Sequence, residues 1–216
     1  MVILSFDTTT SVTTVALIRE ADVASERSQL DARRHAEVLV PTIKLVLGDS
    51  GLNLSGLTAI AVGVGPGAFT GLRVGLVTAR ALGDALGIPV HGVMTLDTIA
   101  YASGLDHSFA VVMDARRKEV FWARYSNATT LEAGPFVALP DDVVEQIEGL
   151  PVVGAAATPF AEMFADVRPP ELPSAGALGQ LTHRRLLGGK PLLELTPLYI
   201  RRPDVTPSAG PKSVLA

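Results

Sequence analysis

Gly65-Pro66-Gly67-Ala68-Phe69-Thr70-Gly71-Leu72-Arg73-Val74-Gly75 is the stretch on which the reading of this chain turns. It follows an apolar run, Leu57 to Val64, that reads as a buried strand. It opens a helix predicted over 69–86 and stopped by Gly87 and Pro89. Glycines between a strand and a helix let backbone N–H groups approach a phosphate at the positive helix end. No nucleotide signature fits, however. A P-loop needs lysine after its last glycine, and here Gly71 is followed by Leu72-Arg73. Pro66 interrupts the dinucleotide-like Gly63-x-Gly65-x-x-Ala68, and Asp84 lies inside the helix, not at the end of a following strand. A tight structural turn and a phosphate loop both stay open, the turn favoured.

Within the helix, Gly71, Gly75, Ala79 and Gly83 recur every four residues and form one bare ridge, into which another helix could pack. Each glycine costs about 1 kcal/mol of helix stability relative to alanine, so the ridge needs a compensating contact. Phe69, Leu72, Leu76 and Leu86 occupy a neighbouring face. The segment 33–48 repeats the pattern, since Val38, Leu39, Val40, Ile43, Leu45, Val46 and Leu47 cannot share one side. Pro41 should bend that helix, and Gly48 should cap it. The ridge packs either inside its own domain or against a partner.

Towards the N-terminus, Val2 to Phe6 and Val12 to Ile18 read as a hairpin around the polar turn Asp7-Thr8-Thr9-Thr10-Ser11, with a weaker strand at 22–30. Beyond the long helix come a strand at 90–93 and a helix at 95–102. The pattern restarts near Ser103-Gly104, with strands at 109–113 and 120–125 around a charged turn. From 127 to 173 the signal is patchy and broken by prolines, with a helix after Pro140 and a strand at 151–154. A helix at 175–187 and a strand at 197–200 close the fold. The expected division is 1–102, 103–202 and a disordered Pro/Ser/Gly-rich tail at 203–216. Two β-rich halves that each close with helices indicate an α/β protein of two related subdomains.

The chain has 216 residues, 48% of them hydrophobic, and a mean hydropathy of +0.35. No run reaches the roughly 18–20 uncharged apolar residues of a spanning helix. The start carries no basic region or cleavage site of a signal peptide, and cytoplasmic residence is expected. Cysteine is absent, which excludes disulfides, thiol catalysis and thiolate metal sites. The four histidines form no HxxxH or HExxH pair, so no metal site is expected, and no G-x-S-x-G serine elbow occurs. Basic clusters are short and the net charge is −4, which argues against this chain gripping a polyanion by itself. No catalytic residue is nominated and no cofactor is expected.

Four stretches together resemble the TsaB (YeaZ) family. They are Leu4-Ser5-Phe6-Asp7-Thr8-Thr9-Thr10, His35-Ala36-Glu37-Val38-Leu39-Val40-Pro41-Thr42-Ile43, the Gly65–Gly75 stretch, and Pro197-Leu198-Tyr199-Ile200-Arg201-Arg202-Pro203. The resemblance is strong over the first hundred residues and weak from 126 to 195. It implies two actin-like (ASKHA, ribonuclease H-like) subdomains, each a mixed sheet with flanking helices. It further implies a non-catalytic partner of the enzyme TsaD, assisted by TsaE, in making threonylcarbamoyladenosine (t6A) beside the tRNA anticodon. The enzyme's HxxxH motif is missing after His91, where Gly92-Val93-Met94-Thr95-Leu96 stands instead. Isolated members of the family often self-associate, and tRNA would be met only through the complex. On this resemblance the partner interface is expected at Val38, Pro41, Leu45, Phe69, Leu72, Gly75, Leu76 and Ala79. Actin-like ATPases keep a phosphate loop where Asp7-Thr8-Thr9-Thr10 stands, so Asp7, Thr9, Gly65 and Gly67 mark a vestigial nucleotide site. The alternative is a nucleotide-binding ATPase or kinase using Asp7 and the Gly65–Gly71 loop.

Overall fold

In the computed structural model, which describes residues 1–31 and 33–201, the chain opens with a hairpin of β1 (Val2–Asp7) and β2 (Val12–Arg19). β3 (Asp22–Leu30) pairs antiparallel to β2, and β4 (Ala59–Gly63) and β5 (Val90–Val93) add parallel on the far side of β1. The sheet order is β3-β2-β1-β4-β5. A second sheet holds β6 (Phe109–Asp114), β7 (Val120–Asn127), β8 (Thr130–Ala138), β9 (Val152–Val153) and β10 (Val167–Arg168) in the order β10-β9-β6-β7-β8. Read from the other edge, that order and its parallel and antiparallel pairings repeat the first sheet.

Period-two alternation assigns the faces of the first sheet. Leu4, Phe6, Val15, Leu17, Ile60 and Val62 point to one core, against α1 (His35–Asp49) and α2 (Phe69–Leu86). Ile3, Ala16, Ile18, Ala59 and Ala61 point to the opposite side, against α5 (Ala175–Leu187). That second face carries small residues, and Gly179 of α5 sits directly on Ser5 and Ile18. The Ser5 hydroxyl donates to the Ala175 carbonyl at 2.7 Å. α5 thus follows the second sheet in sequence yet packs on the first.

α3 (Thr95–Ser103) lies between α5 and the second sheet. Asp97 of α3 accepts from the Tyr125 hydroxyl at 2.8 Å and pairs with Arg185 of α5 at 2.7 Å. Burial, with the Asp97 charge beside it, holds the Tyr125 phenol well above its ordinary pKa. The other face of the second sheet packs on α4 (Pro140–Ile147) through Val112, Val120, Trp122, Val143 and Ile147.

Three expectations need correction. Gly48 lies within α1, which runs to Asp49, and the left-handed residue is Gly51. Pro41, by contrast, sits inside α1 as expected. The segment 197–200 is not a strand but part of an irregular strap, whose bridge to β5 is made earlier, at Leu193. β8 and β10 escaped detection. β8 contains Gly134-Pro135, which only an edge strand tolerates, and its pairing with β7 is irregular. The expected tail, 203–216, lies outside the described residues. No helix among the described residues is long and apolar enough to cross a membrane.

Candidate functional site

The Asp7 turn is a closed polar knot. Asp7 ends β1 with its side chain fully buried. Its Oδ1 accepts from the Thr9 backbone N–H and the Thr9 hydroxyl, both at 2.7 Å. Its Oδ2 accepts from the hydroxyl of Thr95, the first residue of α3, at 2.9 Å. Gly63 faces the carboxylate so closely that a Cβ there would collide with it. Burial raises the Asp7 pKa, and the hydrogen bonds from Thr9 and Thr95 pull the other way.

The four residues expected at a nucleotide site do come together. Gly67 packs on the Thr9 backbone, and the Ala68 N–H donates to the Thr9 carbonyl at 2.8 Å. Gly65, at φ +99°, accepts from the Thr95 N–H at 2.8 Å. Glycine suits that backbone conformation. They form a packed junction, however, and Asp7 presents no atom to solvent. Thr95, a further member of the knot, has no sequence spacing that marks it, whereas Gly63 stands in the dinucleotide-like spacing without having been named a site residue.

Beside the knot, the β1–β2 turn and the β6–β7 turn face each other across a cavity of about 130 Å³. Thr9, Thr10 and Ser11 line one side, and Asp114 and Arg116 the other, with Glu171 nearby. Pockets for drug-sized ligands run to about 300–1,000 Å³. This cavity is smaller than that, two carboxylates line it, and the Asp7 carboxylate is sealed from it. Among the described residues no His, Asp and Glu cluster could hold a metal.

His35 starts α1 behind the same turn. It is buried, its Nδ1 lies 2.7 Å from the Thr13 hydroxyl, and its Nε2 has no hydrogen-bond partner among the described residues. Burial lowers its pKa, opposed by the Asp31 and Asp7 charges.

The glycine ridge of α2 resolves inward. Gly71 lies against the Thr8 carbonyl and the His35 ring, Gly75 against the Thr8 hydroxyl and Val62, and Gly83 against Val90. Five of the eight expected interface residues, Val38, Leu72, Gly75, Leu76 and Ala79, are therefore buried in the chain's own core. The physical reason is that α2 must approach the β1–β2 turn closely, and the ridge serves that contact. Pro41, Leu45 and Phe69 remain at the surface. At about 100° per residue, positions 69, 73 and 77 lie on the stripe opposite the ridge. Phe69 and Val77 are 53% and 68% exposed, and Val40 and Leu45 of α1 are 47% and 53% exposed. Ala36, Phe69, Arg73, Val74 and Val77 line an open groove of about 480 Å³ there. Val40, Arg73 and Val77, exposed on the same side, were not among the expected residues, although the ridge's own spacing marks 73 and 77 as its opposite face.

The residues 27–162 match the family described as "TsaD: tRNA N6-adenosine threonylcarbamoyltransferase". An uncharacterized protein of Mycobacterium tuberculosis is 42% identical over 212 residues, covering 96% of this chain and 95% of that one. The tRNA threonylcarbamoyladenosine biosynthesis protein TsaB of Escherichia coli is 37% identical over 128 residues, 58% of this chain and 55% of that protein. YeaZ from Pseudomonas aeruginosa, a solved structure, superposes with a TM-score of 0.79 at 28% identity, covering 92% of this chain and 99% of that one. The fold is thus the actin-like, ribonuclease H-like fold of YeaZ, with two mixed sheets and flanking helices. By matched residues, named relatives and fold together, the chain belongs to the TsaD family as a member of its TsaB (YeaZ) type.

Proposed function

We propose that this chain serves threonylcarbamoyladenosine biosynthesis in tRNA as a non-catalytic subunit that docks on the catalytic paralogue TsaD. The observation that carries the reading is the exposed apolar stripe of α1 and α2, Val40, Leu45, Phe69 and Val77, set over a core already filled from the same helices. Apolar side chains grouped on one face in this way mark a surface that another protein covers. TsaE joins through the same assembly, the isolated chain pairs with a second copy on the same face, and tRNA is met through TsaD. The division into halves at 102/103 and cytoplasmic residence belong to the same reading.

The sealed Asp7 carboxylate and the small cavity support a subunit without nucleotide chemistry of its own. Depleting the protein and quantifying the modified nucleoside in bulk tRNA by mass spectrometry tests the pathway. Copurification of wild-type chain with TsaD tests the docking. A sharp fall in modification restored by the wild-type chain is expected. Undiminished modification would overturn the reading and return attention to the nucleotide-binding alternative, for which ATP–Mg²⁺ titration is the assay.

A further inference from the structure

The segment 192–201, which follows α5, touches both sheets and the exposed face of α2. Leu193 and Gly92 of β5 exchange two backbone hydrogen bonds of 2.9 Å. Gly92 permits this, because a Cβ there would meet the Leu193 and Glu194 carbonyls. Leu195 packs on the core of the first sheet, and the Leu198 N–H donates to the Val64 carbonyl at 2.8 Å. Leu198 and Ile200 then enter the core of the second sheet.

Between those two anchors, Tyr199 turns outward onto α2. Its ring stacks on Phe69, with centroids 5.5 Å apart and planes at 25°. Its hydroxyl accepts from Arg73 Nε at 3.1 Å, and the Arg73 guanidinium lies 3.8 Å over the Phe69 ring. Two residues on, Arg201 pairs with Glu119 in the β6–β7 turn, and its Nη2 stands 3.5 Å from the Arg116 carbonyl. Arg116 lines the cavity between the sheets.

We infer that 192–201 is a latch that ties the α2 face to the β6–β7 turn, so that whatever settles on Phe69 and Arg73 acts on the spacing of the two sheets through Tyr199. Only Ile200 stands between Tyr199 and Arg201, and the Tyr199 N–H turns back to the Pro197 carbonyl at 3.1 Å, so the two side chains are tied through a single residue of a folded strap. Tyr199 is 44% exposed and rests on residues that are themselves exposed, so it can be displaced without opening a core. The coupling is reciprocal, as any linkage between two sites must be. It holds whichever partner occupies the face and does not depend on the role in tRNA modification.

The chain has no cysteine, which allows labelling without background. Gln29→Cys and Glu145→Cys place spin labels at exposed positions, one on each sheet's side. Their distance distribution is measured by double electron–electron resonance in the otherwise wild-type chain and with Tyr199→Ala or Arg201→Glu. Hydrogen exchange is followed in parallel on unlabelled protein. Both substitutions should broaden the distribution and raise exchange in the 115–119 turn by about tenfold, with β1 and β4 unchanged, as expected of a local opening. An unaltered distribution with unaltered turn exchange in both variants overturns the latch. Exchange raised equally in β1 and β4 overturns it too, since Tyr199 would then serve general stability.

Discussion

The Thr8 hydroxyl donates a 2.6 Å hydrogen bond to the Gly71 carbonyl, fastening the β1–β2 turn to the first turn of α2. That contact is the reason the glycine ridge faces inward, and it separates what α2 does for the fold from what it offers to a partner.

Gly75→Ala should therefore destabilise. Alanine gains about 1 kcal/mol of helix propensity. Its Cβ, however, would stand 2.7 Å from the Thr8 hydroxyl and 3.4 Å from Val62. Overpacking of this kind costs about 1–3 kcal/mol. Urea unfolding should show a net loss, and a gain would mean that the turn yields readily.

Val77→Asp should leave stability within about 0.5 kcal/mol, as exposed substitutions do. It should weaken association with TsaD, and pairing of the isolated chain, by tenfold or more. Titration calorimetry and light scattering read the two. Full affinity in a folded variant would move the interface off α2.

Asp7→Asn should fold and be at least as stable as wild type at neutral pH, because an amide can accept from Thr9 and donate to the Thr95 hydroxyl. The folded pKa of Asp7 lies above the ordinary 3.8, so the native state holds the proton more tightly. Wild-type stability is therefore lost as pH rises from 3.8 through the folded value. The variant's advantage should grow over that window and vanish below it. Asp7→Ala, which strands the Thr9 N–H and two hydroxyls, should lose about 2–4 kcal/mol. Thermal melts across pH separate the three proteins.

His35 should titrate below its ordinary 6.5 when its ring protons are followed by NMR. The unfolded chain then binds the proton more readily than the native one. Stability is accordingly complete above 6.5 and falls as pH drops from there towards the folded pKa. His91, lowered by burial too, adds in the same direction. His35→Gln should flatten this part of the profile, and an unchanged slope would assign it to His91.

The fold was legible where one local signal sufficed. Apolar and β-branched runs around a polar turn marked β1 and β2, and glycine and proline stops marked the end of α2. It was illegible where a partner strand decides, as in β8, whose Gly134-Pro135 reads locally as a break. The knot was half legible: the Asp7 turn and the glycine loop stood out as polar and bare, but Thr95 joins them across the sheet, and sequence distance hides that. The inner and outer sides of α2 stayed open for a different reason. Periodicity finds a stripe without saying which side of it faces in. Only the close approach of Thr8 to Gly71 decides.

Each sheet edge is blunted in its own way, and this bears on how the chain behaves when crowded or newly made. β3 carries Asp22, Glu26 and Arg27, β5 is already paired to Leu193, β10 is two residues long, and β8 holds a proline that lacks an N–H. Strand-to-strand addition, the usual route to irreversible clumping, is thereby discouraged at every open margin. A sequence with a mean hydropathy of +0.35 can thus keep a greasy helical face on display, because its adhesion is confined to side chains that can let go.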